Sequence, residues 1–289
     1  MITASLVKEL RDKTNAGMMD CKKALQETDG DLDAAVKLLR EKGIAKAAKK
    51  ADRAANEGII AARIDTAGKS GIMVEVNCET DFVAKNENFQ GFVNELADTL
   101  AASDASTHEE ALAVQLGDVS VADAVQSKVI EIGENLQARR FARIAVDGEG
   151  VVGSYIHMGG KVGVLVEVGC EKPETAQADA FRDLVRDLTL HIAASSPKGV
   201  TRDDIDASVI EAEKDIFRVQ LQNDGKPEQI IDKIIEGKIG KFYSENCLLE
   251  QGFVKDPDTA IEKLLESIGK DLGDTLTVRR FNRFALGEA

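Results

Sequence analysis

Across residues 3 to 43, apolar positions recur at intervals of three and four, the spacing of a helix face. Leu6 and Leu10 lie one turn apart in "SLVKELRDKT", which Thr3 or Ser5 is placed to cap. Asn15 and Gly17, in "NAGMM", interrupt the pattern as a helix stop. "MDCKKALQETDG" resumes it, with Asp20 as the expected cap and Gly30 as the stop. "DLDAAVKLLREKG" then sets Leu32, Ala35, Val36 and Leu39 on one face and is expected to end at Gly43. Three helices this short make a bundle of the kind that docks onto partners.

At Glu57 the period changes from helical to alternating, and the chain then repeats itself. "EGIIAARIDTAGKSGIMVEVNCETDFVAKNENFQGFVNELADTLAAS" aligns without a gap with "EGVVGSYIHMGGKVGVLVEVGCEKPETAQADAFRDLVRDLTLHIAAS", which starts at Glu149, with roughly 17 identities. Each copy predicts a strand (58 to 64; 150 to 156), a turn at Gly68 or Gly160, and a second strand (72 to 78; 164 to 170). A helix follows in each, from about Asn88 and from about Ala176. Two copies are too few for a solenoid, so two related subdomains are expected, in an α+β fold with antiparallel sheets covered by helices. Where the copies agree, the residue serves the shared fold. Where they differ, specialisation is open: Thr80-Asp81-Phe82 stands where the sister copy has Lys172-Pro173-Glu174. The fold therefore does not require an acid and an aromatic at that strand exit.

Between the copies, Ala124, Val125, Val129 and Ile132 predict a helix stopping near Gly133, after which "ARRFARIAV" re-enters the sheet. Beyond Arg202, "ASVIEAEKDIFRVQLQ" and "PEQIIDKIIEGKIGKF" read as an antiparallel helical hairpin around "NDGKP". Its expected stripes are Val209, Ala212, Ile216 and Val219, and Ile231, Ile234, Lys238 and Phe242. A helix and a final strand return to the second subdomain. The resulting segments are 1–45, a basic linker 46–56, core subdomains 57–144 and 145–201 with 246–289, and the hairpin insertion 202–245.

Composition narrows the function. The net charge of −14 repels phosphate backbones, and the one short basic run, "KAAKKADR", reads as a solvated helix face or linker, so direct nucleic-acid binding is not expected. Cys21, Cys78, Cys170 and Cys247 are far apart with no CxxC, which predicts reduced core cysteines. The N-terminus has no apolar signal region and no run reaches membrane-spanning length, so a cytoplasmic protein without membrane contact is expected. No phosphate loop, HExxH or GxSxG occurs, and His108, His157 and His191 lack metal spacing. His108 reads as an exposed helix start and His191 as structural. His157, near a hairpin tip where copy one has Asp65, is open to either reading. A Cys nucleophile paired with His157 conflicts with core placement of the cysteines. No cofactor or metal is expected, and the enzyme reading has no support.

Two long motifs carry a resemblance. "SLVKELRDKTNAGMMDCKKAL" and "VEVNCETDFVAKN" are similar to the two signatures of bacterial translation elongation factor Ts, the guanine-nucleotide exchange factor for elongation factor Tu. "IGEN" and "GSYIH" are similar to further family segments, and the resemblance spans essentially the whole chain. It implies a ubiquitin-associated-like helical module (UBA-like), a duplicated α+β core, and a hairpin through which some members form homodimers. The implied partner is elongation factor Tu, GDP-bound and nucleotide-free. Thr80, Asp81, Phe82 and Val83 match the segment that intrudes near the partner's magnesium site. Ile132 and Gly133 would press on its phosphate loop, His157 would add a core contact, and Asn15, Gly17, Met18 and Met19 would contribute from the helical module. Many family members continue into a carboxy-terminal helical segment; the sequence here stops at "FNRFALGEA", and that contact is not carried over. Beside the exchange factor stand a non-catalytic adaptor or chaperone-like binding protein and, more distantly, an enzyme with a cryptic site.

Overall fold

The computed structural model describes residues 2–14, 16–48 and 50–288, the side chains of 44–48 excepted. It is an α+β structure. Helices α1 (Ala4–Thr14), α2 (Met18–Glu27) and α3 (Leu32–Ala48) come first. Thr3 Oγ1 accepts from the Leu6 N–H at 3.2 Å, the N-cap that the sequence offered. Val7, Leu10, Cys21, Ala24, Leu25 and Ala35 bury together between these helices. Two expected boundaries move. The residue before α2 is Gly17, so Asp20 falls in the first turn instead of capping it. Helix α3 runs through Gly43 to Ala48. Gly43 does not stop the helix; a Cβ there would overlap the Ile130 side chain, so the residue lets α3 approach the core closely.

The chain continues with β1 (Glu57–Ile64), β2 (Ser70–Cys78), α4 (Asp81–Ala84), α5 (Glu87–Ala101) and α6 (His108–Ala113). The short strands β3 (Gln115–Leu116) and β4 (Val119–Ser120), then α7 (Val121–Ile132) and β5 (Gln137–Ala145), complete the first half. The second half has β6 (Gly150–His157), β7 (Val162–Gly169) and α8 (Asp179–Ser195). After it come the hairpin helices α9 (Ala207–Asn223) and α10 (Glu228–Asn246). The chain closes with β8 (Gly252–Phe253), β9 (Asp256–Ala260), α11 (Ile261–Leu272) and β10 (Thr277–Ala285).

Two three-stranded antiparallel sheets result, ordered β1-β2-β5 and β10-β7-β6. Helices α5 and α7 cover the outer face of the first through Phe89, Phe92, Leu96, Val125 and Val129. Helices α8 and α11 cover the second through Phe181, Leu184, Leu188, Ile261 and Leu265. The inner faces meet through Ile60, Met73, Ile144, Val152, Leu165 and Phe284. Strands β2 and β7 are buried on both faces, which is why their sequences read as apolar runs with weak alternation.

The halves match further than the gapless alignment reaches. "RRFAR" in β5 and "RRFNR" in β10 occupy equivalent strands, displaced by the inserted hairpin. Both strands bulge at the same place, at Arg139 and Arg279. Each bulge sets two arginines against one buried glutamate. Arg140 Nε lies 2.6 Å from Glu75, and Arg280 Nε lies 2.8 Å from Glu167. Each arginine also reaches across to the other sheet: Arg140 donates to the Ala285 carbonyl and Arg280 to that of Ala145. The two halves clasp one another reciprocally. Burial pushes the Glu167 carboxyl up, but bonds from the Asp147 N–H, Arg279 and Arg280 more than offset it, and the group ends below the usual carboxylate range.

In the helical hairpin the buried seam is Ile210 and Leu221 against Ile231, Ile235, Ile239 and Phe242. Three of the expected stripe residues, Ala212, Ile216 and Val219, are exposed instead. Both choices fit a helical period; the seam follows the larger run Ile231-Ile235-Ile239-Phe242, which only the packing partner could select. Lys238 lies over the Phe217 ring at 4.8 Å, its charged end outside the seam.

Candidate functional site

Strand β2 ends in Cys78, Glu79 and Thr80, and the expected exit loop is a single helical turn. Thr80 caps α4, its Oγ1 accepting from the Val83 N–H at 3.4 Å. The turn is held from below by Glu134. Its carboxylate accepts from the backbone N–H of Glu79 and of Thr80, both at 3.1 Å, and from the Thr80 hydroxyl at 2.7 Å. A carboxylate that ties down two backbone amides and a hydroxyl leaves the turn little freedom. Asp274 does the same in the sister half, accepting from Glu171 N–H and Lys172 N–H at 3.1 Å. The anchor therefore belongs to the fold; what differs is the residue mounted on it.

Phe82 is mounted outward and is 82% exposed, while Val83 and Ala84 pack against the core. A buried-core role for this aromatic is excluded. Asp81 bonds Lys85 Nζ at 2.7 Å. That hydrogen bond and the Lys85 charge, with Lys161 adding a smaller share, hold the Asp81 carboxyl below its ordinary range. On a chain this acidic, the turn carries its own local cations.

Ile132 ends α7, half-buried, and Gly133 follows at φ 88° as a left-handed C-cap. Gly273 closes α11 in the same way at φ 64°. The two halves agree here, so the fold alone accounts for a glycine at 133. Phe82, Val83 and Ile132 line one open depression of about 540 Å³ together with Arg11, Asn86, Asn88 and Glu131. Arg11 brings the helical module to the same rim. His157 comes from the other half. The β6–β7 tip crosses β1, where the Ile60 N–H donates to the Gly160 carbonyl at 2.8 Å. His157 is exposed at this tip, with Nδ1 2.8 Å from the Tyr155 hydroxyl. The depression itself is lined by the first copy and the first helix, and His157 is not among its lining residues.

Gly17 lines a neighbouring groove with Asp20, Lys42, Lys50 and Ile130. Met18 and Met19 are 54% and 63% exposed at the start of α2, outside both linings among the described residues. Asn15 lies outside the described residues. Glu134 and Lys85, which set the turn and its charge, were not singled out by sequence reasoning. Glu134 lies inside "IGEN"; extending the repeat to "LGDT" around Asp274 exposes it as an anchor.

The remaining candidates are structural. All four cysteines are buried and free. Burial, with the Glu134 charge adding to it, pushes the Cys78 thiol up to about 12, so it is not a thiolate nucleophile. His191 is fully buried on α8. It accepts at Nδ1 from the Val254 N–H at 3.2 Å, which leaves Nε2–H to donate to Gln251 Oε1 at 2.9 Å. Burial lowers its pKa below 6.5, the Gln251 bond only partly opposing this. A group depressed on folding contributes stability above its unfolded pKa and loses it as pH falls through the folded one. The melting temperature is accordingly expected to fall as pH drops from about 7.5 to about 5.5, and His191→Gln to flatten that slope. A slope unchanged in the variant would contradict the assignment.

Among the described residues, no group of three or more His, Cys, Asp or Glu is placed to hold a metal, and no helix is long and apolar enough to cross a membrane. The family model for elongation factor Ts matches residues 79–288. Elongation factor Ts of Trichlorobacter lovleyi is 48% identical, over 99% of this chain and 93% of its own length. That of Clostridium perfringens is 48% identical over 100% and 94%, and that of a Nitratiruptor species 47% over 99% and 93%. The outward Phe82 turn and the glycine-capped α7 both lie within the matched region. The chain belongs to the elongation factor Ts family of translation elongation factors.

Proposed function

We propose that the chain is a guanine-nucleotide exchange factor for elongation factor Tu, and that α4 is the element that loosens GDP. The observation that carries this reading is Phe82, an aromatic held fully outward on a turn whose backbone is pinned by Glu134. Exposing a large apolar side chain on a rigid mount has no folding benefit, and aromatics at the centre of an interface supply much of its binding energy. Magnesium neutralises phosphate charge and holds GDP to a GTPase. With Phe82 anchored in the partner, Asp81 is brought toward the polar groups around that ion and disturbs its ligands. The Lys85 partner keeps Asp81 ionised beforehand. Ile132, at the end of α7, presses the partner's phosphate loop and turns a backbone N–H away from phosphate, removing a charge-assisted bond. His157 adds a contact from the second half, and Gly17, Met18 and Met19 from the helical module. No covalent step is needed, since the chain accelerates release of a ligand.

This places the protein in the cytoplasm. A homodimer through the hairpin is part of the same reading, supported by Ile216 and Val219, exposed at 49% and 56%. The adaptor remains the second reading, favoured by the same exposed residues if binding occurs without exchange.

The test is release of a fluorescent GDP from elongation factor Tu by the native chain and by a chimera carrying Thr80→Lys, Asp81→Pro and Phe82→Glu. The sister half already folds with these residues, and proline is compatible with the first position of a helix. The chimera is expected to fold, with a loss of only about 1 kcal/mol from the missing Thr80 cap, and to exchange poorly. A fully active chimera would refute the specialised role of the turn.

A further inference from the structure

The segment joining the helical module to β1 is fastened to the functional site. Lys50 Nζ donates to the Gly133 carbonyl. Asn135, 3% exposed, donates its side-chain amide to the carbonyls of Arg53 at 2.8 Å and Ala51 at 3.3 Å. Glu79 Oε1 accepts the Asn135 backbone N–H at 2.6 Å and pairs with Arg53 at 3.4 Å. Residues 50, 51 and 53 are thereby bonded to the two stretches, 79–80 and 133–135, that pin the Phe82 turn.

The sister half shows which of these bonds the fold needs. Lys172 caps the Gly273 carbonyl as Lys50 caps Gly133, so that interaction recurs, from a residue of the turn itself. Thr275 stands where Asn135 does and has no amide to offer; its backbone N–H bonds Asp274 at 2.6 Å. The same anchor therefore folds without an asparagine and without a second segment attached. Asn135 and its two carbonyl partners occur only in the half that carries Phe82.

We propose that residues 50–53 form a strap, with Asn135 as its positioning residue, which together with the packing of α3 on Ile130 fixes the helical module against the core so that module and Phe82 turn meet one partner together. This rests on elongation factor Tu being that partner. Two contacts on a fixed frame bind as a single event, whereas a module on a loose tether must find its contact separately, at an effective concentration set by the tether. The strap also links the two contacts mechanically, since Asn135 and Glu134 are adjacent and one holds the strap while the other holds the turn.

Spin labels at Lys8→Cys on α1 and Glu109→Cys on α6 report the module's placement, both sites being exposed and the native cysteines buried. In the full chain the distance distribution is expected to be narrow, and to broaden with Asn135→Ala and with Lys50→Ala. Unlabelled Asn135→Ala is expected to raise the half-saturating concentration for GDP release by roughly tenfold or more, with a smaller effect on the maximal rate. A distribution that stays narrow in both variants overturns the proposal, as does broadening with an unchanged half-saturating concentration. Should Asn135→Ala fail to fold, Lys50→Ala at the strap's outer end decides both readouts. If the native chain accelerates no release at all, the partner assignment fails, and the distance distribution alone decides the strap.

Discussion

Phe82→Ala is expected to slow GDP release from elongation factor Tu by roughly 30-fold or more while shifting the melting temperature by about a degree at most. Truncating a central aromatic anchor costs roughly 2 to 4 kcal/mol of binding, and each 1.36 kcal/mol is about tenfold. The folded chain loses almost nothing, because Phe82 is 82% exposed and substitutions at such positions stay within about 0.5 kcal/mol. Asp81→Ala is expected to behave similarly but less severely, since its carboxylate is already satisfied by Lys85. Equal losses of rate and stability in Phe82→Ala would return the residue to a structural role. Stopped-flow release and a thermal melt on the same preparation separate these outcomes.

The largest effect on stability is expected at Glu75, far from the turn. Its carboxylate is fully buried and faces Arg139 and Arg140, with Arg140 bridging to the last strand and stacking over Phe284 at 4.6 Å. Glu75→Ala leaves two guanidinium groups without their buried partner, a loss that typically costs about 3 to 5 kcal/mol. For a chain of this size that lowers the melting temperature by roughly 5 to 8 °C. Glu167→Ala is expected to do the same in the other half. A shift under about 3 °C at both positions would mean that the reciprocal clasp contributes little to stability. Replacing Glu75 and Arg140 together by methionine separates the lost charge from the lost packing, since a well-packed apolar pair at a former buried ion pair is often neutral.

Helix periods, turn glycines and the gapless repeat foretold the helical module, both hairpins and the long helices after them, because local spacing alone decides these features. The internal comparison also made Asp81 and Phe82 stand out, since Pro173 and Glu174 occupy their positions in a half built on the same plan. Glu75 was equally visible as a lone acid inside "VEV", repeated as Glu167. Its partner arginines, however, lie beyond α7, and the hairpin insertion shifts their repeat to a different spacing. Glu134 was hidden by the same displacement. Asn135 could not be read at all, because its partners are backbone carbonyls, which carry no sequence signal. Gly43 illustrates the opposite failure: a glycine near a helix end suggests a stop, yet here it serves close packing against Ile130. Hairpin residues Ile216 and Val219 fit a helical stripe by period, and only tertiary contact showed that another stripe was buried.

An exchange factor of this kind binds nucleotide-free elongation factor Tu in preference to the GDP-bound form. Thermodynamic coupling is reciprocal: whatever factor the chain imposes on GDP affinity, GDP imposes on the affinity of the chain. A coupling of about 3 kcal/mol corresponds to roughly 150-fold. Titration calorimetry of the full chain against nucleotide-free elongation factor Tu, and against the same protein saturated with magnesium and GDP, reads that factor directly. Binding to the nucleotide-free form is expected to be about two orders of magnitude tighter, a preference largely lost in the Phe82→Ala variant. Equal affinity for the two forms would contradict it and leave an adaptor that binds its partner without acting on the nucleotide.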